Sequence, residues 1–258
     1  MKGVVLAGGS GTRMHPLTRI TNKHLLPIYD RPMVTYAIEA LVTAGVGELM
    51  LVSGGTHAGE FFRLLGNGHA YGIDRLFYAY QERAGGIAEA LNLAERFVDR
   101  DRVVVILADN VFEYTIAASI RNFESQERGA RILLSQVEEA DHLHHLGVPE
   151  LDGSGRVLRI VEKPQEPPSH YAVTGVYLYD NTVWDVLPTL HPSGRGELEI
   201  TDVNNWYISQ GTMQYDVLEG FWGDAGESID AYYAVNDFVR HHGVNKPLPE
   251  SRDLVAGA

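Results

Sequence analysis

An apolar run that stops abruptly in glycine sets the first constraint on this chain. Val4-Val5-Leu6-Ala7 leads into Gly8-Gly9-Ser10-Gly11-Thr12-Arg13, and Asn22-Lys23-His24-Leu25-Leu26-Pro27 follows soon after. Glycines let a backbone approach a polyanion and take φ > 0. Successive free N–H groups in such a turn form an anion-binding concavity, and a helix starting near Thr12 would add its N-terminal dipole. Arg13 and Lys23 supply full positive charges. The segment therefore predicts a strand–turn unit that holds a nucleoside triphosphate, with Gly8, Gly9, Gly11 and Thr12 against the phosphates. Two familiar glycine loops are excluded. The dinucleotide fingerprint needs a third glycine where Met14 stands. The P-loop closes in Gly-Lys-Ser/Thr, and this loop closes in Gly11-Thr12-Arg13.

Downstream, apolar runs alternate with helical patterns. Lys2–Ala7, Glu48–Ser53, Leu76–Tyr80 and Val103–Leu107 read as strands. Pro32–Ala44, His57–Leu65 and Gly86–Phe97 read as helices, with Gly45 and Gly66 as stops. This βαβ rhythm predicts an α/β fold, a Rossmann-like, mixed and mostly parallel central sheet flanked by helices, with ligands at the carboxyl ends of its strands. Ile132–Val137, Val157–Val161 and Ala172–Tyr179 continue as strands, and Glu197–Gln210 and Ser228–His241 as helices. No linker or repeat interrupts the pattern. One domain over 1–245 is expected, with a loose tail over 246–258.

The chain has no cysteine, which excludes disulfides and thiolate metal sites. Its formal net charge of −13 argues against a nucleic-acid surface. No apolar stretch reaches the length of a membrane span, and the opening residues lack the apolar core of a secretory leader, so a cytoplasmic protein is expected. An acidic chain can still bind an anion if its cations converge. Arg13, Lys23, Lys163 and Arg195 are expected to meet in one cleft.

Asp109 follows the most buried strand. A carboxylate there can bind a hard cation or cap a helix, and Asp224 leaves the same two readings open. Glu162-Lys163 by itself reads as a solvated charge pair. His142, His144 and His145 read as surface histidines, and Trp184, Trp206 and Trp222 as core or interface anchors.

Taken together, Leu6-Ala7-Gly8-Gly9-Ser10-Gly11-Thr12-Arg13, Lys23-His24-Leu25-Leu26-Pro27, Ala108-Asp109-Asn110, Val161-Glu162-Lys163-Pro164, Tyr171-Ala172-Val173-Thr174-Gly175 and Arg195–Asn204 resemble the sugar-1-phosphate nucleotidyltransferases. Within them the chain most resembles the short forms of glucose-1-phosphate thymidylyltransferases. The resemblance implies transfer of a nucleotidyl group from dTTP, or UTP, to a sugar-1-phosphate with release of pyrophosphate. It implies Mg²⁺ on Asp109 and Asp224, and Arg13, Lys23 and Lys163 as the catalytic cations. It places Arg195 with Lys163 on the sugar phosphate, Glu162 on sugar hydroxyls, and Asn110, Gly147 and Val173 along the sugar pocket. Gln81 and Gly86 match base-reading positions. An amide can meet both the imide N–H and a carbonyl of thymine or uracil, so Gln81 favours these bases without separating them.

The chain departs from the family pattern in Leu146-Gly147-Val148-Pro149, where an aromatic wall is missing and a proline replaces a strand residue. It also departs at Glu89, where Gln is common, and in Asp224-Ala225-Gly226. These departures leave a modified hexose phosphate or a cyclitol phosphate open as acceptor. A binding protein that lost the chemistry is the other reading. A homo-oligomer is compatible with all of them.

Overall fold

The computed structural model describes residues 1–137 and 140–249 and the backbone of 256–257. Its centre is an eight-stranded sheet. In chain order the strands are β1 (Lys2–Ala7), β2 (Glu48–Gly54), β3 (Arg75–Gln81), β4 (Val103–Leu107), β5 (Ala130–Gln136), β6 (Tyr171–Tyr179), β7 (Met213–Val217) and β8 (Ala256–Gly257). Their spatial order is β8-β7-β5-β6-β4-β1-β2-β3. β1 runs parallel to β2 and β4, and β2 parallel to β3. β6 runs antiparallel to both of its neighbours. The expected mixed, mostly parallel sheet is therefore present.

Alternation along the central strands explains the two-sided core. Val4, Leu6, Val103 and Val105 face one side, where they meet Ala88, Leu91, Val203 and Tyr207. Val5, Ala7, Val104 and Ile106 face the other, against Ala37, Ile38, Leu41, Phe61, Ile120 and Phe123. Ile106 is fully buried, so its replacement by alanine should cost about 2–5 kcal/mol.

Most expected helices and strands occur with small shifts at their ends. The helix expected over Gly86–Phe97 divides into Ile87–Asn92 and Glu95–Val98. Between the two, Leu93 and Ala94 donate to carbonyls three residues back, which tightens the turn. Several elements were not expected, among them a helix over Ala117–Ser125, the strands β7 and Gly147–Leu151, and the short strands Asn110–Phe112 and Trp222–Asp224. Of the expected tail, residues 250–255 and 258 lie outside the described residues. Lys246 is held in place, with its N–H donating to Glu113 O and its ammonium 2.8 Å from the Glu113 carboxylate. Among the described residues no helix is long and apolar enough to cross a membrane.

Topology brings the chemistry to one edge. Gly8 follows β1, Gln81 ends β3 and Asp109 follows β4, all at the carboxyl ends of parallel strands. Asn110–Phe112 then pairs antiparallel with Trp222–Asp224, so that Asp224 lies opposite Asn110. A two-stranded hairpin, Gly147–Leu151 with Val157–Glu162, closes the other side. In its pairing with β5, β6 shifts register between Val173 and Tyr177. Such a bulge re-aims a strand, and Thr174 and Gly175 within it line the cleft.

Candidate active site

The glycine turn is nearly bare backbone. Gly9 and Gly11 adopt φ of 101° and 62°, which suits residues without a Cβ. Among the described residues the N–H groups of Gly8, Gly9, Ser10 and Gly11 find no acceptor. Thr18 fastens the turn from behind, its hydroxyl donating to Gly11 O at 2.7 Å. The helix anticipated near Thr12 is only a three-residue 3-10 turn, Thr12–Met14. So short a turn has little aligned dipole, and the anion-binding character rests on the free N–H groups and on Arg13.

Lys23 sits in a second short turn capped by Asn22, whose side chain accepts from His24 N–H. Its ammonium lies 2.5 Å from Asp109 Oδ2, and both side chains are buried. Burial alone would lower the Lys23 pKa, but the charges of Asp109 and then Asp224 outweigh it and raise it. Burial would likewise raise Asp109; Lys23 and His24 hold it well below the usual carboxylate range instead. Asp224 goes the other way, pushed up by burial and then by the charge of Asp109. The two carboxylates therefore repel each other across a space that one lysine neutralises only in part. Gly226 packs directly against the ion pair: a Cβ there would meet Asp109 Oδ2 at 2.5 Å and Lys23 Nζ at 2.6 Å, so only glycine leaves the pair in place.

Asn110 ties this cluster to the sheet. Its amide donates to Asp109 Oδ1 at 3.1 Å, and its Oδ1 accepts from Gly175 N–H at 2.9 Å and Trp222 Nε1–H at 2.6 Å. Trp222 thus corrects its reading as a core or interface anchor, because it lines the cleft and orients Asn110. A tryptophan in sequence shows only apolar bulk; nothing local announces which amide its N–H will find.

The far wall comes from the hairpin and the segment 195–204. Arg13, Asn110, Gly147, Glu162, Lys163, Val173 and Asp224 line one continuous cleft. Gly147 faces Glu162 and Val173: a Cβ there would stand 3.6 Å from Glu162 Oε2 and 3.7 Å from Val173 Cβ. Glu162 accepts from Thr201 Oγ1 at 2.6 Å, and Lys163 Nζ lies 3.8 Å from Glu162 Oε1. Glu162 is therefore more than half of a solvated pair. Lys163 takes φ of 47°, an uncommon conformation for a side-chain-bearing residue and one that clusters at functional sites. Arg195 reaches this wall through carboxylates. It lies 2.9 Å from Glu199 and 3.6 Å from Glu162.

The missing aromatic wall is supplied from elsewhere, since Tyr177 and Trp222 both line the cleft. Burial raises the Tyr177 pKa, as do Glu162, Asp109 and Asp224, so the phenol stays protonated. Pro149 does not interrupt its strand but pairs with Ile160 in the isolated hairpin, where a missing N–H is tolerated. Thr201, Asn204 and His145 also line the cleft and were missed as site residues. The Arg195–Asn204 block carried a signal for the first two. His145 had none.

Gln81 and Gly86 are not among the residues that line the cleft; Gln81 lies beside the glycine turn and donates to Gly86 O at 3.2 Å. Gln81 is buried, and its Oε1 lies 3.1 Å from where a Cβ on Gly8 would be. Gly86 takes φ of 101°, and a Cβ there would strike Leu198 O at 2.3 Å. Of the four cations expected to converge, Arg13 and Lys163 line the cleft; Lys23 is buried on Asp109, and Arg195 reaches the cleft only through Glu199 and Glu162.

The chain as a whole has counterparts among known proteins. The sequence profile described as nucleotidyl transferase matches residues 2–242. A glucose-1-phosphate thymidylyltransferase of Mycolicibacterium smegmatis is 40% identical over 264 residues, covering 100% of this chain and 90% of that one. One from Neisseria meningitidis is 40% identical over 229 residues, covering 88% and 78%. A Bacillus anthracis protein assigned as a glucose-1-phosphate thymidylyltransferase, solved with a sucrose, superposes with a TM-score of 0.87 at 43% identity, covering 93% and 96%. Profile, relatives and fold agree over nearly the full length, and the chain belongs to the nucleotidyl transferase family.

Proposed function

We propose that this chain transfers a thymidylyl group from dTTP to glucose-1-phosphate, giving dTDP-glucose and pyrophosphate. The observation that carries this reading is one cleft lined by Arg13, Asn110, Glu162, Lys163 and Asp224, with the Lys23–Asp109 pair beside Asp224 and the free glycine-turn amides next to Arg13 in the chain. The similarity to thymidylyltransferases supports the choice of base and sugar.

A phosphate oxygen of the sugar phosphate attacks the α-phosphorus in line. A new P–O bond forms as the bond to the bridging oxygen of the leaving pyrophosphate breaks. The nucleophile is already anionic at neutral pH, so no general base is required. What remains is to overcome repulsion between two anions and to stabilise charge on the leaving group. The turn amides of Gly8, Gly9, Gly11 and Thr12 and the Arg13 guanidinium hold the triphosphate, and Arg13 and Lys23 stabilise the departing pyrophosphate. Lys163, with Arg195 beside it, holds the sugar phosphate. Glu162 accepts from sugar hydroxyls, and Asn110, Gly147 and Val173 shape the pocket.

Asp109 and Asp224 fit Mg²⁺, which takes one or two carboxylates with phosphate oxygens and water. Their mutual repulsion, which raises the Asp224 pKa, is what a divalent cation between them would relieve. When bound, Mg²⁺ neutralises charge on the phosphate oxygens. Gln81 and Gly86 meet the base, UTP being the next-best donor and GTP and CTP poor ones.

The test is a matrix of nucleoside triphosphates against sugar-1-phosphates and cyclitol phosphates, read by pyrophosphate release and product mass. The highest kcat/KM is expected for dTTP with glucose-1-phosphate. A best pair with GTP or with a cyclitol phosphate would overturn the assignment.

A further inference from the structure

Gln81 holds its two amide ends in unequal surroundings. Its Nε2 donates to Glu89 Oε1 and to Gly86 O, each at 3.2 Å. Its Oε1 has no partner among the described residues and faces Gly8 at the head of the glycine turn. Glu89 is itself clamped. Its second oxygen accepts from Arg83 Nε at 3.0 Å and Nη2 at 2.8 Å. The loop is shaped around this carboxylate, since a Cβ on Gly85 would lie 2.2 Å from Glu89 Cδ.

An amide can usually flip to suit its ligand. Here it is prevented, because an ionised carboxylate only accepts and a backbone carbonyl only accepts. Both therefore demand the NH₂ end of Gln81. This narrows the sequence-based expectation that Gln81 could offer both a donor and an acceptor to the base. Only the acceptor is free.

We infer that Glu89 is a positioning residue that turns Gln81 Oε1 toward the nucleotide, so that this position reads an N–H donor on the pyrimidine ring. The inference rests on the proposed nucleotide site. Thymine and uracil carry that donor at N3. Cytosine carries a bare ring nitrogen there, and two acceptors would face each other in a buried site. The selectivity against cytosine is thus set by a residue that need not touch the base.

Replacing Glu89 by glutamine, the residue common at this position in the family, inverts the demand in this chain because Arg83 claims one oxygen of residue 89. Arg83 only donates, so it keeps the remaining oxygen of residue 89. The new NH₂ then faces Gln81, which must turn its own oxygen inward and its NH₂ outward. Gly86 O opposes the turn, so selectivity should be eroded and not reversed.

The experiment measures binding of dTTP and of dCTP by calorimetry to the full chain, to Glu89→Gln and to Arg83→Ala. The unmutated chain should prefer dTTP by roughly 30-fold or more, the scale of one unpaired buried acceptor. Glu89→Gln should lower that preference about tenfold. Arg83→Ala leaves the acceptor in place and should keep the preference within about threefold. If Glu89→Gln does not fold, Glu89→Ala replaces it with the same expected direction. Equal affinity of the unmutated chain for the two nucleotides, or of both for neither, overturns the inference. So does a preference unmoved in the Glu89 variants, or one lost equally in Arg83→Ala. Pyrophosphate release with glucose-1-phosphate is scored separately. A chain that selects dTTP through Glu89 but transfers nothing would overturn the proposed reaction and leave this inference standing.

Discussion

The two ends of the cleft are built by different means. At the end we assign to the nucleotide the surface is main chain: a turn of glycines with free N–H groups, kept in shape by one hydroxyl from Thr18. At the end we assign to the sugar it is a web of side chains, in which Thr201 holds Glu162, Glu162 faces Lys163, and Glu199 holds Arg195. A backbone surface binds what every nucleoside triphosphate shares. A side-chain surface is free to vary with the acceptor. The contrast teaches where selectivity for the sugar can change without rebuilding the phosphate site.

The junction of the two ends should give the largest effect. Asp109→Asn and Asp224→Asn are each expected to lower kcat by roughly 10²-fold or more, the scale of losing a main electrostatic stabiliser. Their stabilities should diverge. Asp109→Asn strands the buried Lys23 ammonium, and removing one partner of a buried pair costs about 3–5 kcal/mol. Asp224→Asn relieves repulsion. Thermal melts in EDTA should show a lowered Tm for the first and an unchanged or raised Tm for the second. Near-normal pyrophosphate release from either, with Mg²⁺ present, would remove the junction from the chemistry.

Next in size, Lys163→Met should reduce kcat/KM for glucose-1-phosphate by roughly 10–100-fold, as for a lost charge-assisted hydrogen bond. The KM for dTTP should move far less. If both substrates suffer alike, the cleft does not divide as described. The mirror experiment is Gly11→Ala. A Cβ at φ 62° and 3.3 Å from the Thr18 side chain costs about 1–2 kcal/mol. The KM for dTTP should rise roughly tenfold on that scale, with the sugar phosphate little affected. The smallest effect belongs to Thr201→Val, which removes one hydrogen bond to Glu162. A loss of about 1 kcal/mol predicts a roughly fivefold higher KM for the sugar phosphate alone. A dTTP effect of equal size would erase the contrast.

The same division governs what could be read from sequence. The strand and glycine turn were legible because their parts are contiguous: strand, glycines, arginine, then lysine within one short stretch. The central strands were legible because burial on both faces demands unbroken apolar runs such as Val103–Leu107. The sugar end depended on pairings that sequence spacing does not encode. Trp222 looked like core because its bulk is apolar, and only the tertiary fold shows its N–H on Asn110. The fall of Gln81's amide against Glu89 was equally hidden, since an amide in sequence has no direction. The Ala117–Ser125 helix was missed because its apolar positions are few, and β7 because the residue it buries, Asp216, is a carboxylate neutralised by Arg131 of β5, a pairing that sequence spacing does not show.

One consequence follows from the antiparallel pair that joins Asn110–Phe112 to Trp222–Asp224. Asn110 and Trp222 are 112 positions apart, so the aspartate pair cannot exist until most of the chain has emerged and closed a long loop. The glycine turn, made of neighbours, can form early. During synthesis the molecule therefore passes through a stage with a phosphate cradle but no completed centre for chemistry. Activity should appear last, with the docking of the second short strand, and a nascent chain halted before Trp222 should be catalytically silent however much of the sheet it has already formed.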